Sequence, residues 1–117
     1  MGLQVGLPFA EVARGLAAFE GVERRMTIRG VVDGVRVVDD YAHHPTEITT
    51  TLQAAREAWP EGRVIAMFQP HRYSRVAALH DAFCRAFNLA DVVLGCDVYA
   101  AGEEPLAGIS GQGLCEG

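Results

Sequence analysis

Two short, almost continuous apolar runs set the tightest limit on what this 117-residue chain can fold into. Arg63-Val64-Ile65-Ala66-Met67-Phe68 and Val92-Val93-Leu94 lack the alternation of a half-exposed strand. Runs of this kind belong to parallel strands covered on both faces. Between them, Val76, Leu79, Phe83 and Phe87 recur on one face of a helix. Helix and strand therefore alternate, the pattern of an α/β domain with a mostly parallel sheet.

The segments before these runs extend the pattern. Leu7 to Phe19 reads as a helix, with Pro8 in its first turn, Val12, Leu16 and Phe19 on one face, and Gly21 as its stop. Met26 to Val32 is a β-branched run suited to a strand. Asp33-Gly34 is a tight-turn signal, and Val35-Arg36-Val37-Val38 returns as the second strand. An antiparallel hairpin is thus expected at the start of the sheet. Pro45-Thr46-Glu47 opens the next helix, whose buried stripe is Ile48, Leu52, Ala55 and Trp59 before Pro60-Glu61-Gly62 stops it. From Gly102 onward the residues are small and glycine-rich, with at most a short helical turn near Ser110 to Cys115. The chain stops soon after the Val92 strand, so the domain is expected to be truncated at its C terminus.

Composition removes several classes of function. No apolar run approaches the roughly 18 residues of a membrane span, and the N terminus lacks a basic segment followed by an apolar one. Net charge is −5 with no basic tract, which argues against nucleic acid. Cys84, Cys96 and Cys115 are odd in number and form no C-x-x-C pair, as expected of free thiols in a reducing compartment. All ten basic residues are arginine. A Walker-type phosphate loop needs a lysine, so any nucleotide chemistry must borrow that group from elsewhere.

Two polar loops remain, each following a strand, and both are expected to open on one edge of the sheet, where α/β folds bind ligands. The first is Asp39-Asp40-Tyr41-Ala42-His43-His44-Pro45. Asp39 and Asp40 point to opposite sides of a strand end, so one can face a ligand while the other caps the turn. His43 and His44 without a third ligand are weak support for zinc, and His44 suits a helix start. The second loop is Gln69-Pro70-His71-Arg72-Tyr73-Ser74-Arg75, where Ser74 can cap the next helix. Arg72 and Arg75 flank a helix start, where the dipole disfavours cations. They serve either an external carboxylate or phosphate, gripped bidentately, or a salt bridge to an acid such as Asp39 or Asp40. Tyr73 and Cys84 read as packing residues, and His80 as a surface or core-edge histidine.

DDYAHHPTEI (39–48) and FQPHRYSR (68–75), with FEGVERRM (19–26) before them and VYAAGEEP (98–105) after, resemble the Mur ligase family, above all its alanine-adding branch. The recycling branch shares the first block but does not usually carry the second. The resemblance implies three-domain enzymes whose C-terminal domain is Rossmann-like, with a mostly parallel sheet. Residues 1–22 would be the end of the central ATPase domain and a linker, and residues 23–117 part of the C-terminal domain. ATP and Mg2+ are the implied cofactors, with the phosphate loop and most metal ligands upstream; no metal ligand is assigned to this chain. In such enzymes ATP phosphorylates the carboxylate of UDP-N-acetylmuramic acid, and the amine of L-alanine attacks the acyl phosphate during cytoplasmic peptidoglycan precursor synthesis. By motif position, Arg25 and Asp40 resemble nucleotide-binding residues. Tyr41, His43, Arg72 and Arg75 resemble the group shaping the alanine and acyl-phosphate site, with His43, Arg72 and Arg75 its catalytic members in an orienting and charge-stabilising role. The segment alone is expected to be inactive, and an unpaired sheet edge would favour self-association. A stand-alone anion-binding module is the reading from another class.

Overall fold

The structure, a computed structural model, describes residues 2–19 and 21–116. A 3-10 turn, η1 (Gly2–Val5), precedes α1 (Phe9–Ala17); β1 (Thr27–Val32) and β2 (Val35–Asp39) follow, then α2 (Pro45–Ala58) and β3 (Ile65–Phe68). The chain continues through α3 (Tyr73–Ala78), α4 (His80–Ala86), β4 (Val92–Gly95) and α5 (Gly111–Glu116).

The hairpin forms where the Asp-Gly signal placed it. Asp33 and Gly34 both take positive φ, 49° and 80°, the geometry whose twist matches that of antiparallel strands. Strands β1 and β2 pair from Thr27↔Asp39 to Val32↔Val35, with an irregularity between Ile28 and Gly30. Strands β3 and β4 pair in parallel from Ile65↔Val92 to Phe68↔Gly95. These are two separate two-stranded sheets, so the hairpin accompanies the parallel sheet without joining it. The two polar loops consequently leave strands of different sheets, and their expected common edge is not a single sheet rim.

One core holds the α/β part together. Ile48 and Leu52 of α2, Phe68 of β3, Val76 of α3, Phe83 and Ala86 of α4, Phe87 just after it, and Leu114 of α5 are buried in one cluster. Phe68 packs its ring 5.6 Å from Phe83 and 5.2 Å from Phe87, separations at which tilted aromatic pairs attract. The expected helix through Val76, Leu79, Phe83 and Phe87 is broken at Leu79, whose φ of −122° and ψ of 21° leave helical geometry. Its apolar face survives the break, since Val76 and Phe83 are both fully buried.

Coverage of the sheet differs from expectation. Ala66 and Phe68 face the core, whereas Ile65 and Met67 on the other face are exposed. Alternation along a strand dictates this split once helices cover one side only. Among the described residues, helix α1 packs against no element but η1 and buries none of its side chains. The hairpin reaches α2 through a side chain: the Arg36 guanidinium stacks 4.5 Å from the centre of the Trp59 ring.

Candidate functional site

The first polar loop is organised by Asp40. Its Oδ2 accepts the Met26 amide and its Oδ1 accepts the Ala42 amide, both at 2.8 Å. One carboxylate thereby closes its own turn and fastens the loop to Met26, 14 residues upstream in the linker that leads into β1 (residues 21–26). The linker is shaped for this contact: Arg24 and Met26 both adopt positive φ, 57° and 50°. The Arg24 carbonyl accepts the Tyr41 amide at 2.7 Å. The Arg24 guanidinium sits 4.9 Å from the Tyr41 ring centre and 3.5 Å from Asp39. Asp39 also accepts from Arg29 at 2.7 Å. Chiefly that Arg29 bond, with Arg24 beside it, holds the Asp39 carboxyl below its usual range.

Glu47 is the second organiser, and sequence reasoning saw it only as a first-turn acid. Helix α2 begins at His44, whose Nδ1 accepts the Thr46 amide at 3.4 Å while Pro45 occupies the first helical position. Glu47 Oε2 accepts the amides of His43 at 3.0 Å and His44 at 3.1 Å. This is the reciprocal cap by which a helix start satisfies its orphan donors. The His43 amide bond is the largest cause holding Glu47 below the ordinary carboxylate value. Arg25 bridges the two organisers, 3.9 Å from Asp40 and 3.5 Å from Glu47, with half of its side chain exposed. His43 Nδ1 lies 3.0 Å from the Tyr41 carbonyl and 3.5 Å from Glu47 Oε2. Both neighbours are acceptors, which puts the proton of a neutral ring on Nδ1 and leaves Nε2 as an acceptor. Tyr41 and His43 also meet edge to face at 5.1 Å.

The structure therefore joins Arg25, Asp40, Tyr41 and His43 in one network with Glu47 and Arg24. An exposed guanidinium such as Arg25 fits a phosphate. Asp40 is only 12% exposed and already serves two amides, so a ribose hydroxyl would use its remaining lone pairs.

Arg72 and Arg75 form a second group, tied to the β4 end of the sheet. The Arg72 amide donates to the Tyr99 carbonyl at 2.9 Å, and the Tyr99 amide to the Pro70 carbonyl at 2.8 Å. His71 bridges to Tyr99 and lays its ring 5.3 Å from the tyrosine ring. Arg72, with φ of 71°, starts α3. Ser74 does not cap that helix as expected: its amide and hydroxyl both donate to Glu103, at 2.9 and 2.6 Å. Among the described residues, neither Arg72 nor Arg75 has an ion-pair or hydrogen-bond partner for its guanidinium. Salt bridges to Asp39 and Asp40 are absent because those acids are taken by Arg24, Arg29 and Arg25. No described bond links the two loops directly; Ala42 of the first and Val76 after the second pack into the same core. Also among the described residues, no three His, Cys, Asp or Glu side chains come together as a metal site, and no helix is long and apolar enough to cross a membrane.

Residues 24–117 match the family described as Mur ligase, glutamate ligase domain. The chain belongs to the Mur ligase family. Other members place it within that family. It is 54% identical over 114 residues to the UDP-N-acetylmuramate–L-alanine ligase of Phenylobacterium zucineum, covering 97% of this chain and 24% of the relative. It is 50% identical over 117 residues to the ligase of the same name from Desulfosudis oleivorans, covering 100% and 26%. Among solved structures, the UDP-N-acetylmuramate–alanine ligase of Thermotoga maritima superposes with a TM-score of 0.70 at 36% identity, over 84% of this chain and 21% of that one. A murein peptide ligase from Psychrobacter arcticus gives 0.61 at 33% identity, over 79% and 19%. This Mur ligase chain thus spans about a quarter of the length of these curated relatives.

Proposed function

We propose that the chain is the C-terminal-domain part of an ATP-dependent ligase joining L-alanine to UDP-N-acetylmuramic acid in cytoplasmic peptidoglycan precursor synthesis. The observation that carries this reading is the 54% identity, over 97% of the chain, to a ligase named for that substrate pair. Residues 1–22 are then the end of a preceding domain, consistent with a family match that begins at residue 24 and an α1 that buries nothing.

The chemistry asked of this part is positioning. ATP, with Mg2+, supplies the phosphoryl group when bound to the other domains. In this reading Arg25 meets phosphate oxygens, and Asp40, which anchors the Arg25 linker, meets the ribose; the half-exposed Arg25 guanidinium supports the first role. Arg72 and Arg75 offer two guanidiniums, without partners among the described residues, to the L-alanine carboxylate and to the charge that develops at the acyl phosphate. Tyr41 and His43 shape the wall beside them, with His43 Nε2 as an acceptor. Holding the amine against the carbonyl converts an encounter into a near-unimolecular step.

The test places this segment in the full-length P. zucineum ligase in exchange for the matching one. Arg75→Ala is expected to raise the KM for L-alanine by about 10- to 100-fold, the worth of a hydrogen bond to a charged group, while the KM for ATP moves little. Equal effects on both substrates would refute the assignment. The isolated chain, which has no lysine, is expected to show no turnover. Exchange of L-alanine for a tripeptide as the preferred substrate would indicate the recycling branch instead.

A further inference from the structure

Two cations in one turn, with a carboxylate beside them, would ordinarily collapse into a salt bridge. Arg72 has Glu103 at hand, close enough for its charge to contribute, after the two Ser74 bonds, to holding that carboxyl below the usual range; Arg75 lies one helical turn further on. No ion pair forms. Both Glu103 oxygens are committed elsewhere: Oε1 to the Ser74 hydroxyl at 2.6 Å and Oε2 to the Ser74 amide at 2.9 Å. Ser74 lies between the two arginines in sequence, so the acid grips their turn by its backbone and leaves their charges unsatisfied. Arg63 and Arg85 also lack bonded partners among the described residues, but they stand singly and far apart in sequence; Arg72 is exposed as they are, and Arg75, three residues on, is half-buried. The backbone here is under tension too. Arg72 holds a positive φ, a conformation that costs a non-glycine residue energy and persists only where neighbours enforce it. Glu103 from one side and Tyr99 from the other are those neighbours.

We infer that Glu103 is a positioning residue for a carboxylate site formed by Arg72 and Arg75, and that the Ser74 hydroxyl keeps Glu103 from competing for it. Ser74 acts as a molecular decoy: by satisfying the acid, it reserves the arginines for an external anion. The inference rests on the proposed function only for the identity of that anion, an amino-acid carboxylate. It makes the segment around Glu103 part of the substrate site, although Glu103 itself touches no substrate.

Side-chain Nε–Hε resonances of Arg72 and Arg75 in the 117-residue chain report binding of acetate, inorganic phosphate and L-alanine, each titrated at constant ionic strength. Ser74→Ala frees one Glu103 oxygen to turn onto Arg72, and the anion Kd is expected to rise about fivefold. Glu103→Gln keeps both bonds, its amide nitrogen donating to the hydroxyl and its oxygen accepting the amide, and removes the rival charge; the Kd is expected to fall about twofold. The double variant is expected to return to within twofold of Glu103→Gln. That rescue separates competition from support, because a purely structural pair would make the double variant bind no better than Ser74→Ala. Thermal melts of all four proteins identify any variant that has lost its fold. A Ser74→Ala Kd equal to wild type, an unrescued double variant, or no saturable shift with any of the three anions would overturn the inference. Shifts with acetate and phosphate but none with L-alanine would leave the positioning role standing and count against the amino-acid assignment.

Discussion

Asp40 accepts the amide of Met26 across 14 residues at 2.8 Å, and this bond fastens the linker that carries Arg25 to the loop that carries Tyr41 and His43. Its partner bond, to the Ala42 amide, is the same length. Asp40→Ala strands both amides, each in a partly buried position. It is expected to destabilise the chain by about 1–3 kcal/mol, read as a lower urea midpoint. Asp40→Asn retains one acceptor and should lose less. An Asp40→Ala chain as stable as wild type would show that the linker needs no such anchor.

Phe83 tests the core. Its side chain is fully buried against Phe68 and neighbours from α2 and α5. Phe83→Ala is expected to cost about 3–5 kcal/mol, enough to unfold a small domain of ordinary stability. Ile65→Ala on the uncovered face of the same sheet removes a residue that is 55% exposed. Its cost in the isolated chain is expected to be within about 0.5 kcal/mol. Denaturant titrations of the two variants compare them directly.

Acid should act first on the caps. Glu47 is held below its ordinary value of 4.5, foremost by the His43 amide, so the folded chain binds its last proton less readily than the unfolded chain. The stabilisation is complete above that ordinary value and drains as pH falls through the lowered folded-state value. Asp39, Asp91 and Glu103 are shifted in the same direction. The melting temperature is expected to decline below about pH 4.5. Glu47→Gln should start lower and decline less steeply, and parallel pH curves for the two proteins would contradict the assignment.

Helix α5 is docked through a glycine. A Cβ on Gly111 would run into the Cys96 carbonyl, and one on Gly95 into Cys115 and the Gly111 backbone. Gly111→Ala is expected to lift α5 off β4, exposing Leu114 and raising amide exchange across residues 111–116. Gly113→Ala meets only the hydroxyl of Ser110 at 3.3 Å and should leave exchange nearly unchanged. Equal protection in both variants would refute the docking role.

Much of this chain could be read without coordinates because the deciding forces are local. The positive φ pair at Asp33-Gly34, proline at the first position of α2 and the apolar face of Val76, Phe83 and Phe87 follow from chain geometry and period. The residue blocks at 39–48 and 68–75 likewise carried the family resemblance. Pairing across space was not legible. That Glu103 binds Ser74, that Asp40 reaches back to Met26, and that Asp39 is claimed by Arg24 and Arg29 depend on separations of 10 to 29 residues. Many acids in the sequence could have served each role equally. The same limit applies to the sheets. An apolar run announces a strand, but which of its faces receives a helix, and whether a hairpin joins the neighbouring sheet, is decided by packing among elements that only the folded chain brings together.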